Sequence, residues 1–227
     1  HATAEGGRLT GPSQPPGTNV SPAGTTAAAG ERLFDAGDRL APRHAALLRD
    51  VGVDAVTVRR RLRVGLLPTG TEIHEGRQPD RDSEMLANLI RRWGHDPTVE
   101  DAVPDDRSAV REAVAAAAAT RDVVVTTGGT SVGGADHVVD VLRGHDVLFR
   151  GTKLRPGRPV TAATIDGTPV CALPGKPVAA HAAATLVLRP FFAGNDRLPT
   201  VTATLATRLG VPDEAVAFAG PVTLDGG

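Results

Sequence analysis

The sequence is poor in several residue types, and each shortage closes off a class of function. Among 227 residues there is one cysteine, one tryptophan, five phenylalanines and no tyrosine. A lone Cys171 can form neither an internal disulfide nor a cysteine-rich zinc site, and it fits a reducing, cytoplasmic compartment. So few aromatics leave few platforms for stacking bases. Neither sign of charge dominates: 25 Lys and Arg stand against 26 Asp and Glu, for a formal net charge of -1. That balance lacks the basic footprint of a nucleic-acid binder, so any anion must be held locally. No apolar run approaches the roughly 20 residues that span a bilayer, and the polar start lacks the apolar core of a signal peptide. The chain therefore reads as soluble, with no membrane partner. There is no G-x-x-x-x-G-K-[ST] run and no G-x-G-x-x-G after the first strand. His44, His74, His95, His137, His145 and His181 show no zinc-ligand spacing and read as surface or incidental residues.

What is present is aliphatic and periodic. With 41% hydrophobic residues, the chain can bury one good core with a smaller module attached. Residues 1–60 read as a partial β-rich domain: the start is broken by Pro12, Pro15, Pro16 and Pro22. Pro42 then opens a helix towards Gly52, and Ala55-Val56-Thr57-Val58 is strand-like. The arginines from Arg59 to Arg63 mark either a charged joint or a solvated strand start. Residues 61–196 alternate strand and helix signals, which predicts a three-layer α/β core around a mainly parallel sheet. Leu62 to Leu67 is a strand. A helix from Asp80 to Trp93 aligns Met85, Leu86, Leu89, Ile90 and Trp93 on one face, capped by Asp80 or Asp82 and closed by Gly94. Thr98 to Val103 is a second strand, and Asp105 or Asp106 caps an alanine-rich helix from Ser108 to Ala119. Asp122 to Thr126 is the clearest buried strand. Val160 to Ile165 and Val170 to Leu173 form a hairpin turning at Asp166-Gly167, and the last helix runs from Val178 to Phe192. Residues 197–227 read as the start of a further, truncated β domain.

The candidate chemistry lies in loops that follow strands, where open α/β sheets bind ligands. Thr126-Thr127-Gly128-Gly129-Thr130-Ser131-Val132-Gly133-Gly134-Ala135-Asp136 leads from a valine-rich strand into a helix. Its glycines let a backbone approach a phosphate, and its hydroxyls add donors near a helix N-terminus. Asp136 either caps that helix or holds a divalent metal or polar ligand group. In Pro68-Thr69-Gly70-Thr71-Glu72, Glu72 is placed to ligate Mg²⁺ or accept a proton. Leu173-Pro174-Gly175-Lys176-Pro177 opens the final helix with Lys176 aimed at an anion. In Lys153-Leu154-Arg155-Pro156-Gly157-Arg158-Pro159, the two arginine forks suit phosphate and oxyanions.

Taken together, in this order and spacing, the T-G-x-E run, the Asp-x-Asp helix start, Pro104-Asp105-Asp106, the T-G-G-T-S-V-G-G-A-D loop, R-P-G-R-P and L-P-G-K-P-V resemble the molybdopterin molybdenumtransferase family, which includes the catalytic part of gephyrin. The match runs from about Leu62 to Phe192, and Gly17 to Val58 resembles the end of that family's β-rich second domain. The resemblance implies an enzyme of molybdenum cofactor biosynthesis that takes adenylyl-molybdopterin and molybdate, releases AMP and uses Mg²⁺. By motif, Glu72, Asp106 and Asp136 surround metal, molybdate and adenylyl phosphate, with Glu72 and Asp136 as metal ligands. Thr69, Gly70, Thr127, Gly128, Gly129, Ser131, Gly133, Pro174, Gly175 and Lys176 shape the pterin-phosphate pocket, and Arg155 and Arg158 donate to anions. The resemblance further implies a homodimer whose site a second subunit completes, and contacts with other cofactor-biosynthesis proteins. A molybdopterin adenylyltransferase, or a domain that binds molybdopterin without turnover, shares the same core. This chain departs from the family pattern in having Thr71 for Asp, Asp82 for Asn, Arg155 and Arg158 for Lys, and Lys176 for Asn.

Overall fold

Val123 to Thr127 are buried without exception, and the sheet is built outward from them. A computed structural model describes residues 3–13, 15–128, 136–194, 200–204, 206, 217–220 and 222–223. The chain divides into two compact units, residues 1–59 and 60–227. In the first, β1 (Thr3–Glu5) and β2 (Arg8–Thr10) pair antiparallel around Gly6-Gly7, which both have positive φ. Helix α1 (Pro42–Asp50) starts with its proline where a missing N–H costs nothing, and it buries no residue. The alternating valines at 56 and 58 form no strand. Both are exposed, and a period-two pattern makes a strand only where a neighbouring strand takes its hydrogen bonds.

The second unit opens with β3 (Arg63–Pro68), followed by the single turn α2 (Thr71–His74) and by α3 (Ser83–Trp93). Of the expected apolar face of α3, Leu86 and Ile90 are buried, with Ala87 beside them, while Met85, Leu89 and Trp93 pack half-buried against the same core; Gly94 closes the helix in the left-handed conformation. Next come β4 (Asp96–Val99), α4 (Arg107–Thr120), β5 (Val123–Thr127) and α5 (His137–Leu142). Then follow β6 (Asp146–Arg150), β7 (Leu154–Arg155), β8 (Thr161–Ile165) and β9 (Thr168–Leu173). Asp166 and Gly167, with φ 48° and 83°, make the tight turn that joins β8 to β9. The final helix comprises α6 (Pro177–Ala183), a π-helical turn at Ala184–Leu188, and α7 (Arg189–Ala193). Pro190 has no N–H to give the carbonyl four residues back, and the wider turn lies just before it.

The six-stranded sheet has the order β4-β3-β5-β9-β8-β6. The first four strands are parallel, while β8 runs antiparallel to both neighbours. Alternate residues of β5 face opposite sides. Val123 and Val125 pack with α3 and the final helix, and Val124 packs with α4 and α5. This is the three-layer, mainly parallel core expected from the sequence. Burying side chains of this size stabilises the fold by about 1.5 to 3 kcal/mol each. Beyond it, β10 (Ala217–Phe218) pairs parallel with β7. Among the described residues, no helix is long and apolar enough to cross a membrane.

The edge of the sheet where β3 and β5 begin is tied by ions and one histidine. Asp122 accepts from Arg63 N at 2.8 Å, Arg60 Nη2 at 2.9 Å and Arg63 Nη2 at 3.0 Å. Its side chain is only 11% exposed. Hydrogen bonds from Arg60 and then Arg63 hold its carboxyl well below the usual carboxylate range. Thus Arg60 and Arg63 share one acid, and Arg61 pairs with Asp96. His95 is not incidental either: its Nδ1 accepts from Leu62 N at 3.2 Å and its Nε2 donates to Phe192 O at 2.9 Å. A backbone amide on one nitrogen and a carbonyl on the other leave the proton only on Nε2.

Candidate functional site

The chain passes from β3 through α3 to β4 on one side, then through α4 to β5 on the other. The strand order reverses between β3 and β5, the position where open α/β sheets carry a crevice beyond their C-terminal ends. Thr69 N donates to Thr127 O at 2.8 Å, and Thr69 Oγ1 donates to the same carbonyl at 3.0 Å. Gly70 N donates to Val103 O at 2.9 Å. Gly128 has φ 87°, and a Cβ there would lie 2.2 Å from Thr69 O. A Cβ at Gly175 would lie 2.7 Å from Gly128 Cα. Three successive strand ends, carrying Thr69, Gly128 and Gly175, therefore touch backbone to backbone. The two glycines are required by that packing as well as by any approaching phosphate.

Helices α3, α4, α5 and α6 all start at this edge. Asp136 caps α5, its Oδ1 accepting from Val139 N at 2.9 Å, and Asp106 caps α4 through Ala109 N at 2.9 Å. Burial pushes the Asp136 carboxyl above its ordinary value, against the opposing effect of the Val139 bond. Asp80 caps α3 by accepting from Asp82 N and Ser83 N, which leaves the Asp82 side chain free of that role. Asp82 is 6% exposed, and burial, then Asp80, raises its carboxyl. Pro174 is buried, while Gly175 and Lys176 are exposed at the start of α6. Neither the Lys176 side chain nor that of the exposed Arg158 makes a hydrogen bond or ion pair among the described residues; Arg155 is half-buried and partnered. The loop carrying both arginines is closed by Gly151 N to Val160 O at 2.6 Å and Thr152 N to Arg158 O at 2.9 Å. Strand β10 braces it, with Ala217 N donating to Lys153 O and Ala219 N to Arg155 O, each at 2.7 Å.

Buried polar atoms without a partner mark the same edge. Five such side-chain atoms occur among the described residues, and four of them, Asp82 Oδ1, Ser83 Oγ, Thr126 Oγ1 and His137 Nδ1, lie at the ends of strands or starts of helices here. Each unmade hydrogen bond costs about 1 to 3 kcal/mol, so this edge is built to be completed by water or a ligand. Cys171 is no nucleophile for it: burial pushes its thiol up to about 12. Residues 65–194 match the family described as probable molybdopterin binding domain. The chain belongs to the molybdopterin-binding domain family.

Similar to this molybdopterin-binding domain is the molybdopterin molybdenumtransferase of a Nostoc species, 34% identical over 163 residues, covering 66% of this chain and 37% of the relative. The molybdopterin molybdenumtransferase of Bacillus subtilis is 31% identical over 183 residues, covering 77% and 43%. A crystal structure of a molybdopterin biosynthesis MoeA protein from Pyrococcus horikosii superposes with a TM-score of 0.60 at 28% identity, covering 71% of this chain and 43% of that one. The chain spans less than half the length of these relatives.

Within the molybdopterin-binding domain, Thr69, Gly70, Thr127, Gly128, Pro174, Gly175 and Lys176 gather at one crevice edge, with Glu72 on α2 and Asp136 capping α5. Gly129, Ser131 and Gly133 lie outside the described residues. Asp106 turns to its own helix, and its neighbour Asp105 meets the T-G-T-E loop instead: Thr71 N donates to Asp105 Oδ2 at 3.2 Å, and Asp105 N donates to Thr71 Oγ1 at 3.0 Å. His74 Nδ1 donates to Ala102 O at 2.6 Å, fastening the same two loops. The sequence alone singles out neither Asp105 nor His74 as a site residue. Both bonds join segments about 30 positions apart, and the only sequence signal was the Pro-Asp-Asp run itself.

Proposed function

We propose that the strand-end crevice binds adenylylated molybdopterin and that the chain acts in molybdenum cofactor biosynthesis, inserting molybdate into the dithiolene with release of AMP. The observation that carries this reading is the polar rim of the crevice: four buried polar atoms and the side-chain cations of Lys176 and Arg158, all without partners among the described residues. The family match and the names of its relatives give the rim a ligand class. A phosphoanhydride and a tetrahedral oxyanion both need donors, and four helix N-termini with Lys176, Arg155 and Arg158 supply them. As the bond to the adenylyl phosphorus breaks, charge builds on the phosphate oxygens, and donors already aimed at them lower the barrier. Asp136, whose carboxyl burial raises, would accept a proton or face a cation.

Among the described residues, no group of three or more His, Cys, Asp or Glu could hold a metal ion by itself. One or two carboxylates completed by substrate phosphate is the donor set that Mg²⁺ takes, and Glu72 and Asp136 would provide it. Bound there, the ion would polarise phosphorus and neutralise leaving-group charge.

The test is AMP release from adenylyl-molybdopterin with Mg²⁺, with and without molybdate, for the wild type and Asp136→Asn. Molybdate-dependent release that the variant loses is the expected result. Tight binding with no release at any protein concentration would reduce the role to molybdopterin binding.

A further inference from the structure

We infer that Thr71 is the positioning residue of this site, fixing Asp105 and Glu72 as a pair of carboxylates at the crevice mouth; the inference deepens the proposed reaction and rests on it. Thr71 is half-buried and stands between the two acids, with Glu72 next in the chain and Asp105 across from it. Its amide donates to Asp105 Oδ2 at 3.2 Å while its hydroxyl accepts from Asp105 N at 3.0 Å. Two bonds in opposite senses set both the place and the tilt of residue 105. They occupy one carboxylate oxygen and leave Asp105 Oδ1 without a hydrogen bond among the described residues.

Glu72 depends on the same residue in another way. Its carboxylate is exposed and has no hydrogen-bond partner among the described residues, with Arg77 acting on it through charge alone, so the backbone of α2 does most to aim it. That helix is four residues long and starts at Thr71. One turn does not hold itself together in water. It is held from outside, by Gly70 N to Val103 O at 2.9 Å, by His74 Nδ1 to Ala102 O at 2.6 Å, and between them by the Thr71–Asp105 pair. Of these three ties, only the central one involves a carboxylate. Removing the Thr71 hydroxyl should therefore leave the loop attached while letting both acids turn, which impairs turnover more than binding.

The experiment compares the wild-type chain with Thr71→Val, Thr71→Ser, Asp105→Ala and the Thr71→Val/Asp105→Ala double variant. It measures kcat and KM for AMP release together with site-resolved amide exchange at residues 71 and 105. Thr71→Val should speed exchange of the Asp105 amide and lower kcat about tenfold with KM within about twofold, the loss expected for one hydrogen bond. Thr71→Ser should restore both to within about threefold, and the double variant should be no slower than Asp105→Ala alone. A Thr71→Val enzyme with wild-type kcat, or a double variant whose losses multiply, overturns the inference. Should the wild type release no AMP, the proposed reaction fails separately, and the inference is judged on Mn²⁺ affinity by electron paramagnetic resonance. There Thr71→Val should bind about tenfold more weakly and Thr71→Ser like the wild type; equal affinity in all three overturns it.

Discussion

The two ends of the central sheet are made of similar residues used in opposite ways. Where β3 and β5 begin, polar groups are matched: Asp122 takes Arg60 and Arg63, and His95 bridges Leu62 and Phe192. Where the parallel strands finish, Asp82, Ser83, Thr126 and His137 keep buried atoms without partners, and Lys176 stands unpaired among the described residues. One acid at the first end is held below the ordinary carboxylate range, and two at the second are pushed above it. The difference separates stability from function. Satisfied groups hold the fold, while unsatisfied ones cost stability and are kept where a ligand can complete them.

The contrast can be broken most severely at Gly128. Its Cβ would fall 2.2 Å from Thr69 O at a backbone φ of 87°, so Gly128→Ala should lose about 4 kcal/mol or fail to fold, measured by urea denaturation. Next in size is Asp122→Asn, which leaves two arginines without their acid. It should cost about 1 to 2 kcal/mol at neutral pH without weakening ligand binding. Because the Asp122 carboxyl is held low in the folded state, its contribution is complete above about pH 4, the unfolded value, and fades as pH falls below it. Wild type and variant should therefore converge in acid.

Asp82→Asn should show the reverse, with a smaller effect. Burial raises this carboxyl in the folded state, so ionising it at neutral pH opposes folding. The neutral side chain should stabilise by about 1 kcal/mol, seen as a rise in Tm of about 2 to 4 °C. That gain should shrink as the pH falls through the raised folded-state value and vanish below about 4, the unfolded value, where the wild-type acid is protonated in both states. A variant less stable than wild type at neutral pH would show that Asp82 has a partner in the folded protein.

Legibility from sequence followed how local the cause was. The turn at Asp166-Gly167 could be read because two adjacent positions must both take positive φ. The buried valines of β5 and the stripe on α3 ending at Gly94 could be read because period and cap lie in one segment. The three loops of the crevice were legible as glycine-rich runs after strands, yet the packing of Gly175 on Gly128, 47 positions apart, was not. Val56 and Val58 carried a strand pattern but pair with no strand among the described residues. The Thr71–Asp105 pair, the His95 bridge and the β7–β10 pairing depend on chain segments meeting in space, which composition and period do not encode.

The most direct test of this division is a backbone amide shift map of the wild-type chain titrated with adenylyl-molybdopterin. The account predicts saturable shifts at Thr69, Gly70, Gly128, Gly175 and Lys176, with Arg63, His95 and Asp122 unmoved. Shifts centred on Arg63 and Asp122, with the crevice residues unchanged, would contradict it.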